Sequence, residues 1–425
     1  MTGEAWFAVL PDGEAGLTAA RALRPLAANA IEHASGRSWL LGNWPEGHVK
    51  VARTGAARMA VIGRCPVTAR ALTARLGLAH DIDDAERAVQ GLPGSFHAVV
   101  SLGRRVRVRG SASGARRVFY ARVGDTTVAA DRADTLASLT GAGIDEQQLA
   151  LHLLSSPPLH PLDDACVWGG VQALRPHDAL LIDPDGRART CRWWQSPEPV
   201  LTLADGVPGV RRALETAVRS CAAGGGTISS DLSGGMDSTS LCFLAARDGA
   251  QLITFRWESQ DPGNDDPAWG AQAASWLPGA DHVAVGRTEI PPWYTGLADT
   301  TVPTAEPGAW VRDTARLAAM THLMTDRGSR LHMTGGGGDE LFTAFSSHLY
   351  DYVRSRPLAA LARLHRQCAF RRTRLWPAVR GLADRRTYAQ WLAAQADGLT
   401  SAPPLARREL AAFSVAWGVG LRMPS

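Results

Sequence analysis

The chain has 425 residues, of which 45% are hydrophobic and 20% charged, a composition that fits two or three folded domains and excludes peptide-sized, disordered and collagen-like classes. The formal charge of +4 comes from 45 basic against 41 acidic residues, and Lys50 is the only lysine among them. A Walker A site is therefore excluded, because its lysine must follow a G-x-x-x-x-G loop and Lys50 sits in Gly-His-Val-Lys-Val.

In chain order, the opening Met1 to Asp12 has neither a basic n-region nor a small-residue cleavage site, so a cytoplasmic location is expected. Up to about residue 195, short apolar or alternating runs such as Phe96-His-Ala-Val-Val-Ser-Leu, Val106-Arg-Val-Arg and Thr126-Thr-Val-Ala-Ala predict stacked antiparallel sheets. Arg104, Arg105, Arg107 and Arg109 alternate with valines and are read as the solvent face of a strand. The run from Trp193 through Gly206 and Pro208 reads as an interdomain linker, with the boundary near residue 200.

Beyond the boundary the rhythm is strand then helix: strands over Thr227–Leu232, Leu252–Trp257, Asp281–Val285 and Arg330–Thr334, helices over Ser238–Arg247, Asp266–Trp276 and Val311–Asp326. That alternation predicts a parallel sheet with ligands at the carboxyl ends of its strands. After Leu341 the chain reads as helical, and Arg354 to Arg380 holds eight arginines (354, 356, 363, 366, 371, 372, 374 and 380) and no acid. Most of these are read as a solvated helical face, with pyrophosphate, an acidic peptide or RNA as competing partners. His365 is read as structural. The six cysteines (65, 166, 191, 221, 242 and 368) form no C-x-x-C or zinc pattern. The apolar stretch Leu410 to Leu421 is too short to span a membrane.

Two segments carry chemistry. Ser229-Ser-Asp-Leu-Ser-Gly-Gly-Met-Asp-Ser places Gly234 and Gly235 between a strand and a helix. Their backbone can approach an anion there, with the hydroxyls of Ser233 and Ser238 and the helix N–H groups as donors. Such a loop cradles pyrophosphate without lysine, whereas an ordinary Gly-turn with a helix cap is the alternative. Asp237 would repel phosphate unless a divalent cation intervened, which points to magnesium. Leu331-His-Met-Thr-Gly-Gly-Gly-Gly-Asp-Glu-Leu-Phe repeats the strand, glycine loop and helix pattern and brings Asp339 and Glu340 to the same predicted sheet edge.

Ser233-Gly-Gly-Met-Asp-Ser and Gly337-Gly-Asp-Glu-Leu-Phe resemble the two signature loops of asparagine synthetases, a PP-loop family that cleaves ATP between its α- and β-phosphates. Gly94-Ser-Phe-His-Ala-Val-Val, Arg116-Arg-Val-Phe-Tyr, Val128-Ala-Ala-Asp-Arg-Ala-Asp-Thr-Leu-Ala and Gly170-Val-Gln-Ala-Leu-Arg-Pro-His-Asp are similar to that family's glutaminase domain. The resemblance implies an α/β protein: stacked glutaminase-like antiparallel sheets with helices over 1–195, then a PP-loop synthetase domain with a parallel sheet and a helical, Arg-rich end over 205–425. It implies ATP and Mg2+ as cofactors and Leu232, Ser233, Gly234, Gly235, Asp237, Ser238, Gly336 and Gly337 as the ATP-binding set. Asp237 and Asp339 would hold the metal, and Asp339 and Glu340 would be catalytic.

Glutamine-dependent members begin with a nucleophilic cysteine, whereas Met1 is followed here by Thr2 and no cysteine precedes Cys65. The chain is similar in this respect to the β-lactam synthetases and the macrolactam synthetases of lasso-peptide biosynthesis, which use an amine already present in the substrate. Phe7-Ala-Val-Leu-Pro-Asp and Gly336, where β-lactam synthetases carry a tyrosine, place it nearer the lasso-peptide enzymes. The expected function is an ATP-dependent amide ligase that adenylates a peptide side-chain carboxylate and closes a macrolactam. The partners implied are a precursor peptide, a leader-recognition protein and a leader peptidase, with membrane and nucleic acid disfavoured. Alternatives are an ammonia-using asparagine synthetase and a non-catalytic or RNA-binding relative. The family's phosphate-contacting lysine beyond the second loop has no counterpart after Asp339. A shortened C-terminus, weak ligation and an exposed apolar surface around Leu410 to Leu421 are therefore expected.

Overall fold

Strands built of apolar or small residues can be buried on both faces, and Trp6–Val9 and Thr126–Ala130 in the first part of the chain are of this kind. In the computed structural model, which describes residues 5–154, 165–258, 261, 263–299, 305–306, 309–342, 348–370 and 372–401, two six-stranded antiparallel sheets stack face to face. Met1, Thr2, Arg371 and the stretch Leu410 to Leu421 lie outside the described residues. The chain divides into two units, Met1–Leu149 with His160–Gly335, and Ala150–Leu159 with Gly336–Ser425.

The strands and helices of the antiparallel half are, in order, β1 (Trp6–Val9), α1 (Ala15–Leu23), β2 (Asn29–Glu32), β3 (Ser38–Asn43), β4 (Val49–Thr54), β5 (Ala57–Arg64), α2 (Ala69–Leu76), α3 (Ile82–Arg87), β6 (Ser95–Leu102), β7 (Arg105–Arg109), β8 (Phe119–Val123), β9 (Thr126–Ala130), α4 (Ala133–Thr140), α5 (Glu146–Leu154), β10 (Val171–Ala173), β11 (Asp178–Ile182) and β12 (Ala188–Arg192). One sheet runs β10-β8-β9-β1-β3-β2 and the other β12-β11-β7-β6-β5-β4. Successive side chains of a strand point to opposite faces, so β1 sends Phe7 and Val9 into the core between the sheets and Trp6 and Ala8 under α1 and α4. On β5, Ala60 and Ile62 join the same central core, while Met59 and Val61 pack under α2 and α3. The result is four layers: helices, sheet, sheet, helices.

One expectation for this half is corrected. Arg107 and Arg109 are buried at 6% and 4% exposure rather than solvated. Both pair with the buried Glu86 of α3, and Arg107 also reaches Asp83. The Arg109 guanidinium stacks 3.9 Å from the Trp193 ring. Polar alternation on β7 is thus the signature of an ion-pair layer beneath a helix, a contact that strand periodicity does not reveal.

The parallel half contains α6 (Leu203–Ala222), β13 (Thr227–Asp231), α7 (Met236–Arg247), β14 (Gln251–Trp257), α8 (Asp266–Ser275), β15 (Asp281–Val285), α9 (Thr314–Asp326) and β16 (Ser329–Met333). The expected strands and helices are all present within a few residues of their predicted ends. The linker is shorter than expected, because Gly206 and Pro208 lie inside α6. Thr202 caps that helix by accepting the Asp205 N–H at 3.3 Å, which sets the helix start ahead of the proline. Strand order is β15-β14-β13-β16, all parallel. The chain steps outward from β13 and then returns to its other side, making a switch point between β13 and β16 where their carboxyl ends diverge. Helices cover both faces: Ile228, Leu252, Cys242 and Val218 form one core, Ile253, Phe255 and Met324 the other.

The described part of the second unit from Gly336 on is helical: α10 (Gly338–Phe342), α11 (His348–Ser355), α12 (Pro357–Phe370), α13 (Leu375–Leu382) and α14 (Tyr388–Ser401). Leu349, Leu364, Cys368 and Ala378 form its core, and the Tyr350 hydroxyl donates to Gly381 O at 2.9 Å. The seven described arginines of the 354–380 run are exposed, as read from the sequence; His365 is exposed as well, so it is not held in the helical core.

Candidate active site

The first glycine loop leaves the carboxyl end of β13, the inner strand of the switch point. Leu232 is buried and its N–H donates to Phe255 O at 2.7 Å, so the loop starts from a fixed point on β14. Ser238, Cys242 and Ala245 form the buried stripe of α7, and their helical spacing sets the face it turns to the sheet. The Ser233 and Ser238 hydroxyls meet at 2.8 Å and the Ser233 N–H donates to Ser238 Oγ at 3.3 Å, folding the loop over the first turn of the helix.

Gly234 has φ 98°, and a Cβ there would stand 2.5 Å from Asp266 O and 2.9 Å from Gly270 N. Only glycine fits between the loop and α8. Gly235 is the N-cap of α7 and supplies no capping side chain, which leaves first-turn N–H groups available to an anion. Asp237 is half-buried in that turn, and the Thr239 hydroxyl beside it is buried with no hydrogen-bond partner among the described residues.

The second loop leaves β16, the neighbour of β13. A Cβ on Gly335 would lie 2.9 Å from Ser238 N, so the two loops touch backbone to backbone. Below them His332 ties the two strands together: its Nδ1 is 2.8 Å from Ser229 Oγ and its Nε2 2.9 Å from Asp231 Oδ1. Cys242 points at Asp231 O at 3.2 Å, and burial pushes its thiol up to about 11, which keeps it protonated and removes it as a nucleophile. In the second unit Gly337 has φ 94° in an exposed turn with Gly336, and Asp339 and Glu340 stand exposed in the first turn of α10.

Beside Ser233 opens a pocket of about 290 Å3 whose walls include Arg256, Trp257, Glu258, Trp293 and Arg316. Arg256 pairs with Glu258 at 2.9 Å. Arg316 and Arg312 lie over the Trp293 ring at 3.9 and 5.0 Å, Arg316 Nε donates to Pro291 O at 2.8 Å, and the Tyr294 N–H donates to Arg312 O at 3.0 Å. Tyr294 holds φ 67°, a strained value for a non-glycine residue that persists because these bonds fix it. These wall residues escape sequence reading because they come from separate segments and form no motif.

Among the described residues no three His, Cys, Asp or Glu side chains converge on one metal-sized position. The six residues of the first loop predicted from sequence, Leu232, Ser233, Gly234, Gly235, Asp237 and Ser238, form one continuous structure at the switch point.

Residues 209–420 match the family described as asparagine synthase. No curated protein matches the chain. Among solved structures it is similar to glutamine phosphoribosylpyrophosphate amidotransferase from B. subtilis complexed with ADP and GMP, at 12% identity over 78% of this chain and 81% of that one, with a TM-score of 0.29. It is also similar to a structure described as the allosteric regulatory enzyme of purine biosynthesis, at 13% identity over 78% and 74% of the two chains, with a TM-score of 0.28. Residues 209–420 belong to the asparagine synthase family, a family of ATP-dependent carbon–nitrogen ligases.

Proposed function

We propose that the loop from Leu232 to Ser238 and the pocket beside it bind ATP, and that the enzyme activates a side-chain carboxylate of a precursor peptide and joins it to the peptide's own amine. The observation that carries the nucleotide reading is the uncapped start of α7 behind a glycine loop with no room for a side chain at Gly234. Backbone N–H groups and the Ser233 and Ser238 hydroxyls form a donor set suited to phosphate oxygens. The fit to pyrophosphate is thus one of donors without lysine.

In this reading a carboxylate oxygen of the peptide attacks the α-phosphorus, the bond from that phosphorus to the bridging oxygen breaks, and pyrophosphate leaves. The amine then attacks the acyl carbon, AMP departs with the electron pair of the acyl–oxygen bond, and the amine's proton passes to solvent. Holding both groups of one peptide in one pocket supplies proximity worth roughly 7–11 kcal/mol in well-oriented reactions. By the sequence resemblance Asp237 and Asp339 are the carboxylates that would hold magnesium, in keeping with that ion's habit of taking only one or two carboxylates. Magnesium supplies compensation for charge on the departing pyrophosphate. Gly336 at the position of the β-lactam synthetase tyrosine supports macrolactam over β-lactam chemistry, and a leader-recognition protein and a leader peptidase are the partners this reading implies.

The test is incubation of the purified chain with ATP, magnesium and a defined precursor peptide. Expected products are AMP, pyrophosphate and a peptide lighter by one water, with no stimulation by glutamine. ADP and phosphate as main products would overturn the reading of the loop. Conversion of free aspartate and ammonia to asparagine would replace the peptide substrate while keeping the adenylation chemistry.

A further inference from the structure

The wall of the pocket is tied to the antiparallel half of the first unit. Arg117, in the turn that leads into β8, pairs with Glu306, whose side chain is only 8% exposed. Next to it the Trp168 indole N–H donates to Ala305 O at 2.8 Å. Arg117 is itself fixed: its guanidinium lies 4.7 Å from the centre of the Phe119 ring, and its carbonyl oxygen is 2.9 Å from Nε2 of the buried His97. Cys166 lies against the same carboxylate, and burial together with Glu306 pushes its thiol up to about 12. The residues so anchored, 305 and 306, stand just before Ala309–Asp313 and α9, which bring Arg312 and Arg316 onto Trp293.

We infer that Arg117 is a positioning residue for the nucleotide pocket: through Glu306 it holds the segment that sets Arg316 and Trp293 in the pocket wall. The inference rests on the reading of that pocket as the ATP site. A buried carboxylate has a strong preference for its one cation, because the alternative is an uncompensated charge away from water. The ion pair therefore favours one arrangement, which Ala305 and Glu306 inherit. Trp168 adds a second attachment one residue away, so the segment cannot rotate about a single point. In this way the antiparallel half acts as the frame against which the pocket wall is set.

The experiment compares Arg117→Met, which keeps the stem over Phe119 but removes the charge, with Glu306→Gln, the double reversal Arg117→Glu with Glu306→Arg, and Arg316→Gln. ATP affinity is read by calorimetry on the full chain, KM and kcat by pyrophosphate exchange, and amide hydrogen exchange over 309–316 reports the wall directly. Expected are a rise of about tenfold in both Kd and KM for ATP in Arg117→Met and Glu306→Gln, with a smaller change in kcat. Faster exchange over 309–316, with β5 and β6 unchanged, and partial recovery in the double reversal should accompany it. If Arg316→Gln weakens ATP binding while Arg117→Met and Glu306→Gln bind normally, the positioning role is overturned and the pocket assignment stands. If Arg316→Gln also leaves ATP binding unchanged, the pocket assignment fails and the inference with it. Should Arg117→Met not fold, the isosteric Glu306→Gln decides between these outcomes.

Discussion

Asp131 and His97 meet on one residue: the carboxylate accepts the Phe7 N–H at 2.8 Å, and the imidazole packs edge-on against the Phe7 ring with centroids 4.9 Å apart. Burial moves the two groups in opposite directions, Asp131 up to about 7 and His97 down to about 4. Each is held toward its neutral form, the state a low-dielectric interior favours.

The signs give a pH test. Asp131, raised in the folded state, contributes stability that is full below its unfolded value near 3.8 and is lost as pH climbs through about 7. His97, lowered in the folded state, contributes stability that is full above 6.5 and is lost as pH falls toward about 4. Between those limits the two trends oppose one another. Relative to the wild type, Asp131→Asn should gain stability as pH rises from 4 to 6.5, and His97→Gln should lose it, each by at most about 1.4 kcal/mol per pH unit. Urea midpoints across this range check it; two variants running parallel to the wild type would refute the assignment.

Glu86 serves two buried guanidiniums, those of Arg107 and Arg109. Glu86→Ala strands Arg109 beneath α3, leaves Arg107 with Asp83 alone, and should lower unfolding stability by about 3–5 kcal/mol. Replacement of an exposed carboxylate such as Glu14, paired with Arg37, should change it by less than about 1 kcal/mol. Chemical denaturation of the two variants side by side makes the comparison, and equal effects would count against a buried ion layer.

Adjacent glycines of the first loop differ in what they tolerate. Gly234→Ala must push against Asp266 O from a left-handed backbone and should reduce pyrophosphate exchange at least tenfold, with a stability loss of about 1–3 kcal/mol. Gly235 has φ −71° and its nearest atom to a new Cβ, Ser233 Oγ, is 3.5 Å away, so Gly235→Ala should fold within about 1 kcal/mol of the wild type. Thermal melts and exchange assays on both read the contrast, and a harmless Gly234→Ala would contradict the contact with α8.

Asp237→Asn keeps shape and removes the charge expected at the metal. It should nearly abolish adenylation at any magnesium concentration while leaving the melting temperature close to that of the wild type. Normal pyrophosphate release at saturating magnesium would remove Asp237 from the metal set.

The parallel half is legible from sequence because its signals are local. Strand runs such as Gln251–Trp257 are bounded by loops, and the glycines at 234 and 235 fall between a strand and a stripe of Ser238, Cys242 and Ala245 that only a helix can bury together. The residues in the first loop could be named in advance, since a phosphate cradle is made from consecutive residues. Long-range pairing decided the rest. The alternation of arginine and valine in β7 reads equally as a wet face or an ion-paired one, and only the packing of α3 over the sheet brings Glu86 to Arg107 and Arg109. The pocket wall is likewise assembled from β14, the turn at Trp293 and α9, and the Arg117–Glu306 pair joins residues 189 apart. No periodicity encodes such contacts, because a charge finds its partner only after the apolar layers have brought distant segments together.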